Sequence, residues 1–205
     1  MDTLTAAREL AAIAQTGAHF ATDKYDQERY RRVREIAAML LAAHSDVPSE
    51  TIHAWSKEEF GYATPKIDVR AFIVDADRVL LIREDADEGR WTLPGGWADV
   101  NESPSESVIR EVEEESGYVV RPLRLLAVFD REKQGHTPPF PCHVYKLFFH
   151  CEIIGGGAKR TAESSESAFF TEASLPALSL SRVLPSQIKG FFAALRSGKT
   201  ETQYD

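Results

Sequence analysis

Three glutamates, Glu111, Glu114 and Glu115, stand where a short helix would bring their carboxylates together. Ser103 is followed by Pro104, which suits a first helical turn, and by Glu106 three residues on, the signature of a capping box. A helix is therefore expected from about Pro104 to Ser116, with Gly117 as its C-terminal cap. On it, the spacing i, i+3, i+4 projects the three carboxylates from one face within one turn. Like charges so close destabilise a bare helix. A hard divalent cation, which takes oxygen ligands and leaves room for a phosphate, removes that cost. Arg110 lies four residues from both Glu106 and Glu114 and can hold carboxylates by charge-assisted hydrogen bonds. Gly95 and Gly96 precede the helix in a strand-to-loop turn, where glycine lets a carbonyl reach inward as a further ligand. An acidic run is often only a solvated helix face. That alternative does not account for the two glycines, Glu102 and Gly117 at their fixed offsets.

Around this segment stand weaker candidates for substrate contact. Trp97 directly follows Gly96 and either lies beside a substrate or packs the loop. Arg70, on a predicted strand, either reaches a phosphate or is an exposed strand arginine. His136, in a long loop from Asp130 to Pro141, either touches substrate or is a solvent-exposed loop histidine.

The elements that must position these groups fall into two parts, residues 1–62 and 63–205. The first is helical. Leu4, Ala7, Leu10, Ala11 and Ala14 recur at helical spacing up to a stop at Gly17. A second helix runs from about Asp26 to His44, with Tyr30, Val33, Ile36, Ala37, Leu40 and Leu41 as its apolar face. A third follows Pro48 and uses Ile52, Trp55 and Phe60. Three such helices bury little alone, so they are expected to pack on the catalytic part or on a second subunit, giving a dimer. From about Thr64 strands take over: Ile67 to Val74, Val79 to Glu84, Trp91 to Leu93, Leu123 to Phe129, His143 to Ile153 and Ser167 to Phe170. A closing helix spans Pro185 to Leu195, and the polar tail after Ser197 is expected to fray. The class is α+β.

Composition narrows the partners. With 24 basic against 32 acidic residues and a net charge of −8, the chain lacks the basic surplus of a nucleic-acid binder. A small phosphate ligand stays compatible, because a metal ion supplies positive charge locally. No apolar run approaches a membrane span, the N-terminus does not resemble a signal peptide, and Cys142 and Cys151 are too few for a disulfide framework. A cytoplasmic enzyme is expected.

Residues 96–118 resemble the Nudix box, G-x5-E-x7-R-E-U-x-E-E-x-G-U, where U is a bulky apolar residue. Gly96, Glu102, Arg110, Glu111, Val112, Glu114, Glu115, Gly117 and Tyr118 fill every specified position, Tyr118 standing where an aliphatic residue is usual. The resemblance implies an α/β/α sandwich with a mixed sheet, hydrolysis of a nucleoside diphosphate linked to another moiety, and magnesium or manganese as cofactor. It makes Glu111, Glu114, Glu115 and the carbonyl of Gly96 metal ligands, with Arg110 and Glu102 orienting them. Glu111 or Glu114 would take a proton from the attacking water. In other members the base comes from a loop outside the box. Glu163 and Glu166 occupy that stretch here, as a metal ligand or base or merely as solvated acids, with Glu166 the first candidate. The wider text, including IAQTGAHFATDKYDQERY, GYATPKIDVRAFI and LPALSLSR, is similar to a subgroup with an N-terminal helical, dimerising domain. That subgroup includes CDP-choline pyrophosphatases and members named ADP-ribose pyrophosphatases. CDP-choline, cleaved to CMP and phosphocholine, is the expected substrate. The alternatives are ADP-ribose or a nucleotide sugar, an RNA end, or a non-catalytic nucleotide sensor. A sensor could lose a box glutamate, and none is missing here.

Overall fold

The computed structural model describes residues 2–160 and 164–205; Glu163, singled out above, lies outside the described residues. The chain forms two compact units. One runs to Lys66 and takes in Thr137–His143; the other comprises Ile67–His136 and Val144–Asp205. The break expected after residue 62 thus falls four residues later. The stretch Thr137–His143, which takes in the end of the loop expected from Asp130 to Pro141, packs with the helices. Arg8 Nε donates to the Phe140 carbonyl at 2.9 Å, and the Trp55 and Phe140 rings lie 6.2 Å apart.

The helical unit contains α1 (Thr3–Phe20), α2 (Lys24–Ala43) and α3 (Ser49–Glu58). Asp2 and Asp23 start the first two by accepting hydrogen bonds from amides of the first turn. Leu4, Ala7, Ala38, Leu41 and Ile52 form the core. Gly17 does not stop α1. It is where Tyr30 of α2 comes against that helix, and an added Cβ would stand 2.3 Å from the ring. The buried row of α2 is Ala37, Ala38 and Leu41; Leu10, Ile36, Trp55 and Phe60, expected on apolar faces, are exposed, along with Ile13, Phe20 and Met39.

The second unit is built on a 7-stranded sheet of β1 (Lys66–Asp75), β2 (Arg78–Glu84), β3 (Arg90–Thr92), β4 (Tyr118–Asp130), β5 (Val144–Gly156), β6 (Ser164–Thr171) and β7 (Gln203–Tyr204). The order is β3-β2-β1-β5-β4-β7, with β6 on β2. Antiparallel β1–β2 and β4–β5 pairs alongside a parallel β4–β7 pair make it mixed. Helices α4 (Pro104–Ser116) and α5 (Pro185–Arg196) cover its two faces. Strand β1 is buried on both sides from Asp68 to Ile73, and its apolar run Ala71–Val74 is broken before that by Asp68 and Arg70. Val69, Ala71 and Ile73 pack with Val108 and Val112 of α4, while Phe72 meets Phe191 and Phe192 of α5 at 5.4 and 5.1 Å between ring centres. This α4–sheet–α5 layering is the expected sandwich.

The tail is not frayed. Gln203 and Tyr204 add a strand beside Ala127 and Val128, and Thr202 Oγ1 donates to the Leu125 carbonyl at 3.0 Å. A polar composition concealed this, because the pairing is through backbone. Among the described residues no helix is long and apolar enough to cross a membrane. Cys142 and Cys151 are both free thiols.

Candidate active site

Helix α4 is set by local chemistry. The Ser103 hydroxyl accepts from the Glu106 amide, and the Glu106 carboxylate accepts from the Ser103 amide, closing the box at the N-terminus. At the other end Gly117 takes φ +79°, and its amide donates to the Glu113 carbonyl. Val108 and Val112 bury one face against the sheet. That orientation leaves Arg110, Glu111, Glu114 and Glu115 at the edge where the Gly95–Gly96 turn runs past.

Arg110 organises the acids. Its Nε donates to both oxygens of Glu102 at 3.1 Å, and its Nη1 donates to Glu111 at 2.8 Å and Glu114 at 2.9 Å. Asp99 stands 3.4 Å from Nη2. Of the two partners expected from helical spacing, Glu114 is found. Glu106 is not, because the capping box already holds its carboxylate. Although burial works against its charge, the hydrogen bonds it donates to Glu114, Glu102 and Glu111 raise the guanidinium's pKa above its ordinary value.

Glu111 and Glu115 are buried, whereas Glu114 is half in solvent. Burial pushes the Glu111 carboxyl up, with Arg110 and Arg70 opposing. For Glu115 burial wins clearly. Its pKa rises to about 8, against the opposing effects of Arg70 and of the Gly95 amide, which donates to Oε2 at 2.7 Å; the Glu111 and Glu84 charges add to the rise. Gly96 passes so close that an added Cβ would stand 2.7 Å from Glu111 Oε2. The Gly96 carbonyl accepts from the Val69 amide at 2.8 Å and retains a second lone pair.

This donor set fits a hard divalent cation: all oxygens, two of the carboxylates buried, and more negative charge than Arg110 offsets. Among the described residues no three acidic, histidine or cysteine side chains already converge as a metal cage. The guanidinium of Arg110 bridges Glu111 and Glu114 instead. An open depression of about 520 Å³ lies alongside, lined by Glu106, Ile109, Arg110, Glu113, Glu114 and Lys159.

The other candidates separate. Trp97 is half exposed next to Gly96. Glu166 is an exposed side chain on β6 with Arg83 at 3.8 Å. Arg70 is neither an exposed strand arginine nor open to a phosphate. It is buried, with Nε and Nη2 on Asp68 and Nη1 on the Leu93 carbonyl. His136 is likewise not on a solvent-exposed loop. It is 3% exposed, Nδ1 donates to the Leu180 carbonyl at 3.0 Å, and Nε2 accepts from Gln187 at 3.1 Å. Burial, with the Lys146 charge next, lowers its pKa to about 3, so it is a neutral interior group with both nitrogens engaged by protein. Asp68, Lys146 and Asp99 were missed. Asp68 and Arg70 two apart in an apolar strand are a legible signal of a same-face ion pair; Lys146, far along the chain, leaves none.

Residues 1–55 match the family described as a UDP-X-like, N-terminal oligomerisation domain, and residues 64–189 match the NUDIX domain. A Bacillus subtilis protein named "Putative ADP-ribose pyrophosphatase YjhB" is 42% identical over 98% of this chain and 96% of its own length. The crystal structure of a UDP-X diphosphatase is similar over the full length of both chains, at 33% identity and a TM-score of 0.64. The crystal structure of a Streptococcus suis ADP-ribose pyrophosphatase is 38% identical, with a TM-score of 0.62, and covers 69% of this chain and all of its own.

Proposed function

The chain belongs to the Nudix hydrolase family, and from that premise we propose that it hydrolyses the pyrophosphate bond of a nucleoside diphosphate linked to a further group, with a divalent cation as cofactor. The observation that carries this is the pair of buried carboxylates, Glu111 and Glu115, against the Gly95–Gly96 turn, with Glu114 joined to Glu111 through Arg110. Glu111, Glu114, Glu115 and the Gly96 carbonyl would hold magnesium or manganese. When bound, the cation supplies positive charge at the phosphate oxygens and acidifies water. The protein's own part is positional. Arg110 keeps Glu111 and Glu114 at one spacing, and Glu115 ties the turn to α4. Glu111 or Glu114 accepts the proton of the attacking water, with Glu166 the candidate outside the helix.

CDP-choline is the substrate we favour, because the half-exposed indole of Trp97 offers a face to a quaternary ammonium. ADP-ribose is the second reading, favoured by the name of the Bacillus subtilis relative. An RNA end or a sensing role has less support, given the acidic chain and the complete set of box glutamates. We assign dimerisation to the helical unit, whose exposed Ile13, Phe20 and Met39 offer an apolar surface, and place the enzyme in the cytoplasm.

Phosphate release through a coupled phosphatase tests the function. The panel holds CDP-choline, ADP-ribose, UDP-sugars, diadenosine polyphosphates and a 5′-triphosphorylated RNA, with magnesium, for wild type and Glu114→Gln. CDP-choline is expected to turn over fastest and the variant to lose that activity. Faster ADP-ribose turnover would keep the chemistry and replace the substrate. Metal-dependent binding without turnover of anything would mean a sensor. Arg110→Lys retains the charge but not the fork. In steady-state kinetics its kcat is expected to fall on the order of 10–100-fold, since no ammonium can bond three carboxylates in that geometry. Unchanged kcat would show that the fork is dispensable.

A further inference from the structure

Beneath the Gly95–Gly96 turn lies a cluster of charges that the proposed chemistry does not use. Asp68 on β1 is held between two cations. Lys146 Nζ on β5 donates to its Oδ1 at 2.6 Å, and Arg70 donates to Oδ1 from Nε at 3.0 Å and to Oδ2 from Nη2 at 2.7 Å. All three side chains are buried. Although burial works to raise it, the two cations hold the Asp68 carboxyl down at about 2. Stability alone does not account for such a cluster, because well-packed apolar side chains in place of a buried ion triad are commonly as stable or more so.

What the cluster touches gives it a role. The remaining Arg70 nitrogen, Nη1, donates to the Leu93 carbonyl at 3.2 Å, at the start of the turn. The turn then runs along β1, its carbonyls accepting the Ala71 amide at Pro94 and the Val69 amide at Gly96, while the Ala98 amide donates to Ile67. Strand alternation puts Asp68 and Arg70 on the α5 side of β1 and Val69 on the α4 side. The antiparallel Asp68–Trp97 bridge places Trp97 on the same side as Asp68. The turn is thus fixed from two sides: the Glu115 carboxylate takes the Gly95 amide from α4, and Arg70 takes the Leu93 carbonyl from beneath.

We propose that Lys146, Asp68 and Arg70 form a buried clamp that positions the turn 93–97, setting the Gly96 carbonyl against the glutamates of α4. Lys146 fixes the carboxylate, the carboxylate aims the guanidinium, and the guanidinium holds the turn. These are positioning residues, acting on the turn through the Leu93 carbonyl. The consequence for turnover rests on the pyrophosphohydrolase function proposed above.

The test is the double variant Asp68→Asn/Lys146→Met. It keeps the cluster's net charge and leaves no orphan anion, yet deprives Arg70 of its carboxylate. Arg70→Lys keeps the charge and loses the fork, and it carries the test where the double variant does not fold. Three quantities are read: kcat and KM on the panel substrate that wild type prefers, amide exchange of the segment 93–98 by mass spectrometry, and the thermal midpoint. A clamp predicts a fall in kcat on the order of 10–100-fold, with KM within about 3-fold and faster exchange at 93–98. Ile188→Val, a core change on α5, is the control: its midpoint falls while kcat and that exchange stay as in wild type. If both cluster variants behave like this control, the clamp is only structural and the proposal is wrong. If wild type hydrolyses nothing on the panel, the proposed activity is wrong, and exchange at 93–98 alone then decides: faster exchange keeps the clamp and unaltered exchange removes it.

Discussion

Glu115→Gln is expected to abolish turnover and at the same time to stabilise the metal-free protein at neutral and alkaline pH. The Glu115 carboxyl is buried, and its pKa in the folded chain is raised from 4.5 to about 8. A folded acid with a raised pKa holds a proton that the unfolded chain releases. Its contribution to stability is therefore complete below pH 4.5 and is lost as pH rises through 8. Glutamine has no proton to lose and keeps an oxygen for the Gly95 amide. The stability difference between variant and wild type should grow from about pH 5 to about pH 8 and level off above, reaching on the order of a few kcal/mol. Magnesium should narrow the gap. At a hundred times its dissociation constant it stabilises wild type by about 2.7 kcal/mol, whereas the variant, lacking one charged ligand, should respond far less. With kcat expected to fall about 100-fold or more, the residue would cost stability in the free protein and serve only the reaction. Thermal scans between pH 5 and 9, with chelator or with magnesium, check this. A variant less stable than wild type in chelator at pH 8 would show that the carboxylate is not paying for its burial.

What could be read from the chain in advance follows how local the determining interactions are. Helix α4 was legible to its last residue because its capping box and its C-terminal glycine act within three or four positions. Helical spacing put Glu111, Glu114 and Glu115 on one stretch of α4 but did not show that Arg110 bridges Glu111 and Glu114. Gly17 was misread because glycine signals both a stop and a close approach, and only the neighbouring Tyr30 decides between them. His136 was misread for a related reason. The polar loop around it suggested solvent, but the Leu180 carbonyl and Gln187 of α5 supply two partners that no local pattern reveals. Arg110 is the instructive intermediate. Spacing found Glu114 but not Glu102, which reaches it from the loop, and it offered Glu106, which a shorter-range interaction had already taken. Strand β7 lay beyond reach because a parallel backbone pair at a sheet edge imposes almost nothing on side-chain type.

The two glycines of the turn should part company when each is changed to alanine. Gly95 has φ +137°, and a Cβ there would stand 2.0 Å from the Val69 carbonyl oxygen and 2.8 Å from Arg70 Cα. Those atoms belong to the backbone of a strand buried on both faces and cannot step aside. Gly95→Ala should therefore lose roughly 2–5 kcal/mol in urea unfolding, from backbone strain and overpacking together, along with its activity. Gly96 is different, because its added Cβ would meet the carboxylate end of Glu111, with Oε2 at 2.7 Å and Cδ at 3.0 Å. A side-chain tip can rotate away, so Gly96→Ala should cost less than about 1 kcal/mol. The rotation displaces Glu111 from Arg110 and from its neighbours, so kcat should still fall, by about 10–100-fold. Equal stability losses in the two variants would mean that the turn yields as a unit and is not pinned to β1. A fully active Gly96→Ala would mean that the position of Glu111 does not matter, and it would count against every role assigned to the carboxylates of α4.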